Sequence, residues 1–184
     1  MDLNKTDDGN RKFILVQIPE LTDEKSEAYK AGYKNIADIS KDRLRKAIEK
    51  ENYTDGFKVF KLDQSNYNLW DDYDGDNETE LLQQAKLFIE QPLVDGYNET
   101  DLVYEIILKQ GFSLNADIEQ RDGFYIVSEA DTEQKIYITF AQEIHDADTE
   151  KIGITSTDML VCFDAALTDS QKMNFNKRYN LRVI

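Results

Sequence analysis

The sequence predicts an α/β chain, and three observations carry the prediction. KFILVQI, at residues 12–18, is a near-continuous apolar run, the pattern of a parallel-sheet strand covered on both faces. Two amphipathic segments in the middle of the chain each begin on an asparagine placed to cap a helix. Residues 155–184 then read as strand, helix and strand, which implies a parallel pair joined by a right-handed crossover.

Taken in order, Pro19 ends the opening run. Residues 21–34, LTDEKSEAYKAGYK, are polar with scattered small residues and read as an irregular segment with room for one helical turn. Ser40 can cap the helix KDRLRKAIEKE, whose stripe is Leu44, Ala47 and Ile48, and Asn52 and Gly56 stop it. GFKVFKL suggests a second strand through Phe57, Val59 and Phe60, and LDQSNYNLWDDYDGDNETE is an acidic loop.

In NETELLQQAKLFIEQ, Asn77 and Glu80 have capping-box spacing, and Leu81, Leu82, Ala85, Phe88 and Ile89 share a face. In NETDLVYEIILKQG, Asn98 caps, Leu102, Val103, Ile106 and Ile107 form the stripe, and Gly111 supplies the stop. The likeness of NETELL to NETDLV is shared helix-start chemistry, too short for a structural repeat. From Ile118 the period becomes strand-like, with GFYIVSE and KIYITFA joined through the hairpin ADTEQ. The closing stretch offers an apolar strand at residues 159–163, a capping box from Thr168 to Gln171, and a last strand at residues 181–184.

Composition narrows the function. A chain of 184 residues forms one sizeable core or two small ones, and its ten Tyr and nine Phe supply ample aromatic volume. A formal net charge of −15 repels a phosphate backbone and disfavours direct, unaided DNA binding. Cys162 stands alone, so no internal disulfide forms, and no apolar stretch reaches the roughly 20 residues a membrane helix needs. With MDLNKTDDGN lacking a signal-peptide core, the expected location is cytoplasmic, and the Asn-x-Thr matches at Asn77 and Asn98 read as helix starts.

Candidate chemistry is sparse. Asp72, Asp74 and Asp76 have the alternate spacing of calcium ligands, but Asn77 stands where glycine is required and Gln83 where a bidentate glutamate is, so the loop reads as solvated acid. Cys162 with His145 could form a nucleophile and base; a cysteine in a strand run is more simply a small buried hydrophobe, and a histidine in EIHDADTE a surface residue. Asp164, just past a strand end, fits either a functional position or a turn or helix cap. No Gly-x-Gly occurs, so no phosphate-cradling loop exists in this chain, and KDRLRK reads as a solvated helix face. No catalytic residue and no metal site are assigned.

The run DGNRKFILVQIPE, followed by SEAYKAGYKNIADISKDRLRKAI and GFKVFKLDQSN, resembles the modification subunit of type III restriction-modification systems, an adenine-specific DNA methyltransferase. The resemblance is strongest over residues 8–66, moderate through the two helices, and weaker at MLVCFDAAL. It implies an Asp-Pro-Pro-Tyr motif and a target-recognition region, then a Phe-x-Gly-x-Gly loop that binds S-adenosylmethionine just before the strand at residues 12–18. Neither motif occurs in this chain. The expectation is therefore a C-terminal fragment: residues 1–66 closing a methyltransferase (Rossmann-like) sheet, residues 67–111 an acidic loop and helical region, and residues 112–184 a small C-terminal α/β domain.

By the same resemblance, Gln17 or, three residues on, Glu20 is the side chain presented to the cofactor ribose. The fragment alone is expected to bind no S-adenosylmethionine and to serve in structure and assembly. Its expected partners are a second copy, as a homodimer, and a restriction subunit, with DNA engaged only through regions missing from this chain. The alternative is an acidic protein-binding module that mimics DNA, which would need its carboxylates aligned along one face.

Overall fold

A computed structural model describes residues 2–54, 56–68 and 77–184, and the chain divides into two units, Met1–Phe60 and Lys61–Ile184. In the first unit three helices form: α1 (Asp2–Asp7), α2 (Glu27–Lys30) and α3 (Ile36–Glu51). The single turn α2 begins where Ser26 Oγ accepts the Tyr29 N–H at 3.1 Å. The helix expected to start at Ser40 starts earlier. Asn35 Oδ1 accepts the Asp38 N–H at 2.9 Å, while Ser40 lies inside the helix and donates its hydroxyl to the Ile36 carbonyl at 3.2 Å. Asn52 closes α3 in the left-handed conformation, φ 49°, as expected from its tolerance of that region.

The run at residues 12–18 differs from the covered strand that its composition predicts. It joins no ladder, and its side chains are exposed, Ile14 at 90% and Val16 at 91%. The physical reason is that a strand owes its regular structure to neighbours, and no described strand flanks this one. GFKVFKL likewise forms no strand among the described residues, and Val59 and Leu62 are exposed. None of α1, α2 and α3 contributes a buried residue, and among the described residues every buried apolar one lies at or beyond Leu93.

The second unit holds α4 (Glu78–Glu90), α5 (Glu99–Lys109), β1 (Asp117–Arg121), β2 (Phe124–Ser128), β3 (Ile136–Ile138), α6 (Asp146–Ile152), β4 (Met159–Cys162), α7 (Asp169–Arg178) and β5 (Asn180–Val183). The strands form one five-stranded mixed sheet in sequence order, β1-β2-β3 antiparallel and β3-β4-β5 parallel. Alternate residues serve opposite faces. Val127, Ile136, Ile138, Met159 and Val161 pack with the α5 stripe Leu102, Val103, Ile106 and Ile107. Ile126, Tyr137, Leu160 and Cys162 pack with Ile152 of α6 and Phe175 of α7.

The predicted α7 crossover is present, with Thr168 and Gln171 forming the expected capping box and β4 running parallel to β5. EIHDADTE, read as acidic surface, also contains the start of a helix, α6, whose first turn is fixed by the His145 N–H donating to Asp148 at 2.9 Å. It makes β3-α6-β4 a second parallel crossover. Asp122 and Gly123, both at positive φ (51° and 82°), turn β1 into β2, the backbone that a type I′ hairpin requires. Asp158, buried at the start of β4, accepts the Lys135 and Thr155 N–H groups and the Thr155 hydroxyl.

Candidate functional site

Gln17 and Glu20 lie in the exposed segment of the first unit. The Gln17 side-chain amide donates to the neighbouring Ile18 carbonyl at 3.0 Å, and so does the Glu20 N–H at 2.9 Å. The Glu20 carbonyl in turn accepts the Ile36 N–H at 2.9 Å, which ties the end of this segment to the first turn of α3 beside the bridge between Leu21 and Asn35. These bonds fix the course of the backbone and leave the Glu20 carboxylate on the surface.

The segment before them is two-sided. Phe13 and Leu15 line an open groove with Leu44 and Ala47 of α3, Tyr53 and Asp2, while the intervening Ile14 and Val16 are almost fully exposed. That alternation is the side-chain pattern of a strand with one face on a helix and the other uncovered. Neither Gln17 nor Glu20 lines the groove. On α3 the Asp42 carboxylate is held below its usual range by Lys46, 2.7 Å away, and by the Tyr33 hydroxyl, which donates to it.

A second constellation, unsuspected from sequence, fastens residues 65–68 to α5. Glu105 accepts the Ser65 hydroxyl at 2.5 Å, the Asn66 N–H at 2.8 Å and the Asn66 side-chain amide at 2.9 Å. Burial would raise the Glu105 carboxyl, but the bonds from Ser65 and Asn66 outweigh it and hold the group below its ordinary value. Burial, with the Glu105 charge nearby, pushes Tyr67 up to about 12, and the Lys109 ammonium lies 3.3 Å from the centre of its ring. Asn68 completes the staple, its amide donating to the Gln91 and Leu93 carbonyls at 2.7 and 2.9 Å. The chain thus leaves and re-enters at one fixed base around α4, whose Leu82 and Ile89 are exposed. The available signal was a carboxylate adjoining the α5 stripe, one residue before Ile106.

Cys162, His145 and Asp164 fall where their simpler readings put them. Cys162 is fully buried in β4, and burial pushes its thiol up to about 12, so it offers no thiolate. His145 is exposed at the start of α6. Asp164, in a short 3-10 turn, pairs with Lys172 at 2.7 Å. Asp72, Asp74 and Asp76 lie outside the described residues, among which no cluster of metal-ligating side chains occurs. No helix among the described residues is long and apolar enough to cross a membrane.

Comparison with known proteins adds lineage to this geometry. The chain is 33% identical over 121 residues to the Type III restriction-modification enzyme EcoP15I Mod subunit of Escherichia coli, a match covering 66% of this chain and 18% of that protein. It is 28% identical over 126 residues to the EcoPI Mod subunit of Escherichia phage P1, covering 65% of this chain and again 18% of the relative. No protein-family model and no solved structure matches. The chain is similar to a piece of a type III Mod subunit, and the match spans less than a fifth of the curated relatives' length.

Proposed function

We propose that this chain corresponds to the C-terminal portion of a type III modification subunit, in which the intact protein transfers a methyl group from S-adenosylmethionine to adenine N6 in DNA. Within that enzyme, which acts in the cytoplasm, residues 12–18 form a strand of the methyltransferase sheet, and the second unit is a separately cored structural and assembly module. The single observation that carries the reading is the contrast between the two units. The first has strand-patterned apolar residues and, among its described residues, no buried one, and the second has a sheet covered on both faces. A segment with that pattern gains about 1.5–3 kcal/mol for each large apolar side chain when a neighbouring surface covers it.

In the longer protein Gln17 or Glu20 supplies the ribose contact, the donor is held chiefly by a glycine loop, and the assembly includes a second modification subunit and a restriction subunit. The chain alone retains one anchor. A neutral hydrogen bond from Gln17 contributes about 1 kcal/mol, whereas micromolar affinity takes about 8 kcal/mol. Titration calorimetry with S-adenosylmethionine, beside a methylation assay on mixed-sequence duplex DNA, is therefore expected to show neither saturable micromolar binding nor turnover. Either signal would mean that the catalytic parts lie within these 184 residues after all.

A further inference from the structure

Two apolar surfaces of the second unit lie open and carry opposite charge. One is the face of α4, where Leu82 is 62% exposed and Ile89 71%. The other is a groove of about 290 Å³ between α7 and β5, lined by Lys172, Met173, Asn176, Leu181 and Val183, with Met173 64% exposed. They are rooted on opposite faces of the sheet. α4 springs from the bridge between Tyr67 and Leu93, both packed with the α5 stripe, whereas Phe175 of α7 packs on the far face. Within one copy the two surfaces stay apart and uncovered.

Charge and spacing match the two surfaces to each other. α4 holds three glutamates and one lysine, while residues 170–184 hold four basic side chains and no acidic one. Most of those bases are engaged. Lys172 pairs with Asp164 and Arg178 with Asp146, and the Arg182 guanidinium donates to the Leu181 carbonyl at 3.2 Å. Lys177 forms no ion pair among the described residues and lies one turn beyond Met173, on the groove side of α7. Glu78 also forms none among the described residues, and it lies one turn before Leu82, in line with Leu82 and Ile89. The order is acid then apolar along α4, and apolar then base along α7. Laid antiparallel, the helices bring Leu82 to Met173 and Glu78 to Lys177 together.

We propose that α4 of one copy docks antiparallel on the α7–β5 groove of a second copy, with Leu82 on Met173 and Glu78 paired to Lys177. The proposal rests on the reading above that a second modification subunit takes part, and it names the surfaces that join. Like-with-like pairings are poorer. Setting α4 against α4 with Leu82 opposite Ile89 brings Glu80 of each copy to Glu90 of the other, and setting groove against groove gathers Lys172 and Lys177 of both copies. Like charges at a contact oppose it.

The test uses the whole chain. Sedimentation equilibrium should show concentration-dependent association with a dissociation constant below about 1 mM, which Leu82→Asp and Met173→Asp each abolish. Both replace exposed residues and should keep the wild-type circular dichroism spectrum. Mixed in equal amounts, these two variants should form a heterodimer and stop at two, because each pair retains one intact α4 and one intact groove. Glu78→Lys and Lys177→Glu should each weaken association about fivefold, and the two together in one chain should restore it. The proposal is overturned by a chain that stays monomeric, by either Asp variant associating like wild type, by a mixture that remains monomeric, or by a charge swap that does not restore association. The first outcome also counts against a second subunit joining at this unit; the others leave that reading standing and refute only the contact.

Discussion

Removing the Glu105 carboxylate isolates the staple between residues 65–68 and α5. Its side chain is 19% exposed and accepts three hydrogen bonds, two of them from Asn66. Hydrogen bonds to a charged group contribute about 1.5–3 kcal/mol each, though bonds sharing one acceptor are not additive. Lys109 is half exposed at 3.3 Å, and an ion pair of that kind adds less than about 1 kcal/mol. Glu105→Gln keeps one acceptor oxygen and sets an amide N–H against donors, so a loss of about 2 kcal/mol is expected, with Glu105→Ala losing more.

The pH dependence of that loss has a definite sign. The carboxyl is held below its ordinary value in the folded state, so its stabilisation is fully present above that ordinary value of 4.5 and is lost as pH falls through the lower folded value. Urea unfolding followed by far-UV circular dichroism, on wild type and Glu105→Gln between pH 7 and pH 3.5, should show a gap that is full at neutrality and narrows below about pH 4.5. Equal stability at pH 7, or a gap that stays constant to pH 3.5, would refute the assignment of Glu105 as an ionised anchor.

Two further outcomes are expected. Cys162, fully buried with its thiol pushed up to about 12, should resist a thiol reagent in the native protein at pH 8 and react at the rate of unfolding; rapid labelling without denaturant would contradict its placement. Replacing Ile14 and Val16 together by Asp should change the stability of this chain by no more than about 0.5 kcal/mol, because both are exposed; a loss of several kcal/mol would mean that a surface within the chain covers them.

Where local chemistry decides structure, the sequence determined it. Asn98 with its stripe of Leu102, Val103, Ile106 and Ile107, the Thr168 and Gln171 box, and the parallel β4-α7-β5 unit follow from capping donors and hydrophobic period, both set within a few residues. Partners distant in sequence decided the rest. KFILVQI has the composition of a buried strand and stands exposed, because burial depends on which surface faces it and a period cannot supply one. Leu82 and Ile89 have helical spacing much like the α5 stripe and are exposed, whereas the α5 stripe packs against the sheet. Glu105 reads as an ordinary surface carboxylate until the fold brings Ser65 and Asn66 to it from about 40 residues away; a hydrogen bond at 2.8 Å requires an approach that no local pattern encodes.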